Sequence, residues 1–442
     1  MGQRLFQADA EPADVIIAGG RLVDPTAGFH GEAADIRIQS GRIAEIGHDL
    51  DDPDAERIDA TGLTVTPGLV DPHVHLRTPG DEHEEDIASG TRAAAAGGFV
   101  AILAMPNTSP IVDSASVLGG LVETARSEAA VATGFMCAIT RGLEGRSLTE
   151  MGELSAAGAA AFSDDGRPVA EAGMLRRALQ YSAVTGLRLA LHEEDTTLSA
   201  GGQMHEGAVS AELGLRGWPA IAESTMIGRD LGIARYEGAG LHICHVSVAE
   251  SVAEIRRARD LGTDVSAEVT PHHLCLTDEA VRGLDPAATK MNPPLGSEAD
   301  RAALIDALAD GTIDCIATDH APHADHEKDA PFEEAPFGVI GLETAFAAVY
   351  THLVEPGMLP LQTVIERMSS GPALAFGLPM PGLARGRTAD IAVWDLAASR
   401  VIEPPYASRS RNCAFAGRSL RGVCRLTISG GRVAHRLIEA VA

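Results

Sequence analysis

The sequence predicts an α/β fold, a (β/α)8 barrel with a small β-sandwich domain built from both chain ends. Three observations predict it. Eight apolar runs of strand length alternate with segments of helical period, reactive side-chain types collect at the ends of those runs, and one β-like texture recurs before and after them. The divisions expected are residues 1–66 for the N-terminal part of the sandwich, 67–378 for the barrel and 379–442 for the C-terminal part.

From Asp14 to about Thr66 the short runs DVIIAGGRLVD, ADIRIQSGRIAEIG and ERIDATGLTVTPG are broken by Gly, Asp and Pro, the punctuation of antiparallel strands. After Gly386 the texture returns in ADIAVWDL and CRLTISGGRVAH, so the two ends are expected to pair.

Between them stand GLVDPHVHL, FVAILAMPN, ATGFMCAIT, AAAFSDD, LRLALHEED, LHICHVS, DVSAEVTPHH and IDCIATDH. The intervening VLGGLVETARSEA, VAEIRRARDLG and EADRAALIDALADG carry apolar residues at three-to-four spacing and tend to stop at Gly, as helices do. Eight alternations over roughly 300 residues fit a barrel somewhat above the usual ~250. A doubly wound open sheet is the rival, but it rarely reaches eight units, and no G-x-G-x-x-G follows any run.

The composition, 45% hydrophobic and 22% charged over 442 residues, is that of an ordinary globular chain. Its net charge of −27 repels phosphate backbones and anionic lipid, which argues against nucleic-acid and membrane partners. Only two of the 35 basic residues are lysines, Lys290 and Lys328. Six cysteines without a C-x-x-C pair, most inside apolar runs, predict reduced core thiols. The N-terminal MGQRLFQADAEPAD has no apolar signal core, and a cytoplasmic protein is the expectation.

In a barrel the C-terminal strand ends converge on one mouth. The last residues of the runs are His73 and His75, Asn107, Asp164 and Asp165, His192, His245, His272 and His273, and Asp319 with His320. An H-x-H pair alone is weak, since sixteen histidines produce one by chance roughly 0.6 times. His73 and His75, however, are two apart at the end of the first run, which puts both imidazoles on one strand face. His242 and His245 are three apart and face opposite sides; His245, nearer the end, is assigned to the mouth and His242 to the core. Adjacent Asp164 and Asp165 cannot both point inward.

Four histidines and two carboxylates are too many for one tetrahedral ion with an open position. Two ions sharing a carboxylate and a hydroxide would use them all and leave a cationic mouth suited to an anionic substrate. Asp319 is placed to take a proton from the hydroxide and hand it to a leaving nitrogen.

The strings GLVDPHVHLRTPG, AMPNTSP, FSDDG, LHEED, HICHVS, TPHHL, KMNPPL, IATDHAPH and APFGVIGLETAF, in this order, resemble the amidohydrolase superfamily, and within it the dihydroorotases of the long bacterial type. The resemblance covers nearly the whole chain. It implies reversible cyclisation of N-carbamoyl-L-aspartate to L-dihydroorotate plus water, the third step of pyrimidine (UMP) synthesis. It also implies that His73, His75 and Asp319 hold one Zn2+, His192 and His245 a second, and Asp165 with a hydroxide bridges them. Arg77, Asn107 and His323 resemble the residues that hold the substrate carboxylate, and Asn292 with the backbone near Phe337 and Gly338 those that meet the ring amide. For Arg77 there is a physical case as well: a guanidinium grips a carboxylate bidentately, and two residues beyond His75 the strand face is the same.

Thr78 stands where many relatives have an acid, which puts a local loop contact in doubt. A homodimer, and association with aspartate carbamoyltransferase, are further implications of the resemblance. Hydantoinases, dihydropyrimidinases and allantoinases, which share the fold, usually bridge their metals with a carbamylated lysine near the fourth strand, and this chain has no lysine before Lys290. The alternatives to set against dihydroorotase are therefore a hydantoinase- or allantoinase-like activity and an inactive scaffold subunit of aspartate carbamoyltransferase.

Overall fold

The computed structural model describes residues 4–438. Five strands come first: β1 (Val15–Asp24), β2 (Phe29–Gln39), β3 (Arg42–Gly47), β4 (Glu56–Asp59) and β5 (Thr64–Pro67). The barrel strands follow as β6 (Leu69–Val74), β7 (Phe99–Ala104), β8 (Ala132–Cys137), β9 (Ala161–Ser163) and β10 (Leu189–Leu191). An excursion carrying the two-residue strands β11 (Met204–His205) and β12 (Gly217–Trp218) precedes β13 (Leu241–Ile243), β14 (Val265–Val269) and β15 (Cys315–Ile316). The last three strands are β16 (Ile391–Val401), β17 (Ser419–Ser429) and β18 (Arg432–Arg436).

All eight apolar runs form the barrel. Its order is β6-β7-β8-β9-β10-β13-β14-β15, parallel throughout, and it closes where His75 N donates to His320 O at 2.8 Å beside the Val74–His320 bridge. Every residue of these strands except the half-buried Ala132 is buried, which is why they read as apolar runs and not as alternating ones. The three helical stretches singled out above become helices at Ala115–Glu128, Ala249–Asp260 and Glu298–Asp310. The last is opened by a Ser297–Asp300 capping box and stopped at Gly311, with φ 86°.

The two chain ends do pair. β5 runs antiparallel to β16, with Val65 opposite Val393 and Thr66 opposite Ala392, and the hydrogen bonds continue as one mixed sheet ordered β18-β17-β16-β5-β1-β2-β3, with β4 beside β1. Its core, including Ile17, Leu22, Ile36, Val65, Ile391 and Leu426, is separate from that of the barrel. At the junction Trp394 stacks on Phe346 with ring centroids 3.8 Å apart and donates Nε1–H to Thr66 Oγ1 at 2.9 Å. Gly98, at φ 84°, admits this indole: a Cβ there would stand 2.3 Å from Trp394. All six cysteines are free thiols. No helix among the described residues is long and apolar enough to cross a membrane.

Candidate metal centre and active site

His73 lies inside β6 and His75 just past it; Asp165, His192, His245 and Asp319 follow the ends of β9, β10, β13 and β15 by one to three residues. His245 and Asp319 take left-handed backbone, φ 33° and 48°, which costs a non-glycine residue roughly 1 kcal/mol and marks their turn out of the strands. All six side chains are buried and meet at one mouth.

Asp165 stands between two groups. On one side, Oδ1 is 3.4 Å from His73 Nε2 and Oδ2 is 3.4 Å from His75 Nε2, while Asp319 Oδ1 lies 3.4 and 3.1 Å from the same two nitrogens. On the other, Asp165 Oδ1 is 3.5 Å from His245 Nε2 and 3.9 Å from His192 Nδ1, which are 3.0 Å from each other. Asp164 points the other way, accepting from the Ile139 and Thr140 amides at 2.8 and 3.0 Å.

The outer ring nitrogens fix the inner ones. His73 Nδ1–H donates to Glu268 Oε1 at 2.6 Å, His75 Nδ1–H to Asn107 Oδ1 at 2.9 Å, and His192 Nε2–H to Glu194 Oε2 at 3.0 Å. Each bond leaves the inner nitrogen as a bare lone pair aimed at carboxylate oxygens or at another imidazole. His73 Nε2 and Asp165 Oδ1 are accordingly buried without any hydrogen-bond partner. Lone pairs converging at these distances repel unless a cation lies among them, and a mixed imidazole and carboxylate set suits zinc and its neighbours. The residues fit metal.

The buried carboxylates favour positive charge at this mouth. Burial pushes the carboxyls of Asp165 and Asp319 up, but the imidazoles facing them prevail, holding Asp165 well below the usual carboxylate range and Asp319 down to about 2. Burial lowers His73, whereas the carboxylates of Asp165, Glu268 and Asp319 carry it well above its ordinary value.

Two carboxylates that orient the histidines of the mouth escaped the sequence reading. Glu268, inside β14, bonds His73 and also takes His242 Nε2–H at 2.9 Å, while His242 Nδ1 meets Ser266 Oγ at 2.8 Å. His242 is thus the satisfied core histidine expected of it. The signal for Glu268 was present, a lone acid inside the apolar run DVSAEV. Glu194, two residues after His192, orients that ring, and Asn292 stands beside Glu194 and helps hold its carboxyl low.

Arg77 and His323 come together, with Nη2 3.3 Å from Nε2. Arg77 does not reach this position by strand alternation: β6 ends at Val74, and Arg77 sits beyond it at φ 56°. Its Nε is 2.8 Å from Glu84 Oε2 and 3.0 Å from Pro322 O, a buried pairing that nothing in the sequence announces. Asn107 spends its oxygen on His75. Asn292 Oδ1 is buried without a hydrogen-bond partner. Phe337 O accepts from His323 Nε2 at 2.8 Å, Gly338 N donates to Lys290 O at 2.9 Å, and Gly338 O accepts from Asn412 Nδ2 at 3.1 Å, so these three backbone groups are engaged within the protein. Gly338, at φ 136°, has no room for a Cβ, which would stand 2.9 Å from Ala321 O and 3.0 Å from His323 Nε2. The Thr78 hydroxyl is buried without a partner.

Fold and site together define a hydrolase barrel of the amidohydrolase type whose mouth carries candidate metal ligands. Residues 62–251 match the family model described as Dihydro-orotase-like. The chain is 51% identical to a protein named Dihydroorotase from Pelotomaculum thermopropionicum, over 95% of this chain and 98% of that one. It is 48% identical to another of that name from Anaeromyxobacter sp. (strain K), over 96% and 98%. The chain belongs to the dihydroorotase family. Among solved structures it is similar to an L-hydantoinase from Arthrobacter aurescens (TM-score 0.86, 27% identity, 97% and 98% covered). A dihydropyrimidinase from Brevibacillus agri is comparable (TM-score 0.84, 25% identity, 97% and 96% covered).

Proposed function

We propose that the chain is a zinc-dependent dihydroorotase that interconverts N-carbamoyl-L-aspartate and L-dihydroorotate plus water in pyrimidine (UMP) synthesis. The observation that carries this reading is 51% identity, over nearly the full length, to a relative named Dihydroorotase. In support, all six residues of the metal-binding pattern stand at one mouth.

His73, His75 and Asp319 would hold one zinc and His192 and His245 the other, with Asp165 between them. When bound, such ions supply a hydroxide nucleophile at neutral pH and polarise the carbonyl under attack. Asp319, ionised throughout the physiological range, takes the proton of the nucleophile and returns it to the ring nitrogen as the C–N bond breaks; in the cyclising direction the same carboxyl removes it. Glu268, Asn107 and Glu194 hold the ring tautomers that this set requires. Arg77 and His323 bind the free carboxylate of the substrate, with Glu84 keeping the guanidinium in place and Asn107 Nδ2 as a further donor. Asn292 and the backbone at Phe337 and Gly338 border the ring amide.

A hydantoinase-like activity has the solved structures in its favour, but at 25–27% identity. The carbamylated-lysine bridge of those relatives has no lysine to form on before Lys290. Chromatographic assay on L-dihydroorotate, hydantoin and allantoin separates the readings: turnover of dihydroorotate is expected, and turnover of hydantoin or allantoin alone overturns the proposal. The scaffold reading predicts protein without zinc and without recoverable activity on adding it. A barrel over 67–378 with the β unit drawn from 1–66 and 379–442, a cytoplasmic homodimer, and docking to aspartate carbamoyltransferase complete the proposal on the strength of the family resemblance.

A further inference from the structure

The two lysines of this arginine-rich chain are both buried, with 2% and 5% of their surface exposed, and they sit side by side. Lys328 Nζ donates to the backbone carbonyls of Pro286, Lys290 and Pro336 at 3.0, 3.2 and 2.7 Å. Lys290 Nζ donates to the carbonyl of Phe332 and lies 4.8 Å from the ring centroid of Phe337 and 5.4 Å from that of Phe332. No carboxylate forms an ion pair with either ammonium among the described residues. A charge left in the interior with only carbonyls for company is costly, and it survives where its bonds are needed. Three protons on one compact nitrogen suit carbonyls that converge from several directions; the flat fork of arginine does not.

These bonds lace segment 286–292 to segment 328–338, and the proposed substrate wall hangs on the lacing. The carbonyl of Lys290 that accepts from Lys328 also accepts from Gly338 N, and Phe337, between Pro336 and Gly338, holds His323 through its own carbonyl. Asn292 is two residues beyond Lys290 and stands beside Glu194, the partner of His192.

We propose that Lys290 and Lys328 are positioning residues, whose ammonium groups clamp these two segments so that His323, Asn292 and the Phe337–Gly338 backbone present one fixed wall to the substrate. Neither lysine touches the substrate. The clamp as a device for substrate affinity rests on the dihydroorotase reading; the clamp itself does not.

A pH signature accompanies it. Burial lowers Lys328 to about 7, helped by Lys290 and Arg77 and opposed by Asp285 and Glu327; burial lowers Lys290 to about 8, opposed by Glu333. As pH rises through this range each amine loses its charge and one of its three N–H donors, and the clamp loosens.

The test uses the full-length zinc-loaded protein and two variants, Lys328→Met and Lys290→Met. The KM for L-dihydroorotate is expected to rise about tenfold or more in each, with kcat within about threefold of the parent and zinc content unchanged. The parent KM is expected to climb between about pH 7 and 9, and to climb less in each variant, which keeps only one titrating lysine. A KM within about twofold of the parent in both variants, or the same climb persisting in both, overturns the proposal. Should the variants not fold, lysine labelled with 13C at Cε gives the parent only two such resonances. Both are expected to titrate below the ordinary lysine value of about 10.4 and to move on addition of L-dihydroorotate; resonances that do neither overturn the proposal. Without any substrate, hydrogen exchange at the Gly338 amide is expected to be faster in Lys328→Met than in the parent, and unchanged exchange overturns the clamp. A parent that does not turn over dihydroorotate would instead overturn the functional reading, leaving the exchange measurement to decide the clamp.

Discussion

Glu268 Oε1 lies 2.6 Å from Nδ1 of His73, so a carboxylate inside the seventh barrel strand sets the tautomer of a histidine inside the first. Through its other oxygen the same carboxylate anchors His242. One side chain therefore joins three strands directly beneath the candidate metal ligands.

Replacing it tests that role without touching a ligand. Glu268→Gln keeps the shape but offers one acceptor where two are used, and metal affinity is expected to fall by about 10- to 100-fold. Competition with a chelator followed by metal analysis reads this directly. Affinity equal to the parent would mean that the bond to His73 is incidental.

Asp319→Asn removes the proton acceptor while keeping volume. A fall in kcat of about a thousandfold is expected, with far-ultraviolet circular dichroism unchanged. Activity within about tenfold of the parent would remove Asp319 from proton transfer.

For Arg77→Met the expected loss is in KM, since the guanidinium beside His323 is assigned to binding and not to the bond that breaks. Glu84→Gln, which frees Arg77 from its buried partner at 2.8 Å, is expected to raise KM as well, by less. An unchanged KM in Arg77→Met would exclude it from the carboxylate site.

Away from the mouth, burial pushes the Asp390 carboxyl up to about 6 against a single opposing bond from the Gly430 amide. A folded-state value above the unfolded one of about 3.9 means that the native state binds the extra proton. Its contribution is present below pH 4 and lost as pH rises through 6. Asp390→Asn is therefore expected to stabilise the fold at pH 8, by on the order of 2 kcal/mol or less, raising the Tm there, and to leave the Tm unchanged at pH 4. Thermal melts at the two values check the sign.

The barrel was legible because parallel strands covered on both faces must be apolar from end to end, so a histidine or aspartate at the close of FVAILAMPN-like runs stands out. All six positions that meet at the mouth stood out by that contrast. Glu268 was not found because a single acid within a strand has no spacing to betray it; its partner is 195 residues away. Glu84 was missed because a pairing made across a loop leaves no period in the sequence, and strand alternation was the wrong guide for Arg77 once β6 had ended at Val74. The backbone groups of Phe337 and Gly338 carry no side-chain signal at all.

The six candidate ligand positions run from His73 to Asp319, and β5, immediately before the first barrel strand, pairs with β16, which begins only at Ile391. During synthesis the early histidines thus leave the ribosome long before their carboxylate partner, and the seam beside them stays unsewn until nearly nine-tenths of the polypeptide exists. Contacts this distant in sequence make folding slow. A truncated or stalled chain that ends before Asp319 lacks one of the six candidate ligands, so a complete mouth forms only after translation has passed the eighth barrel strand.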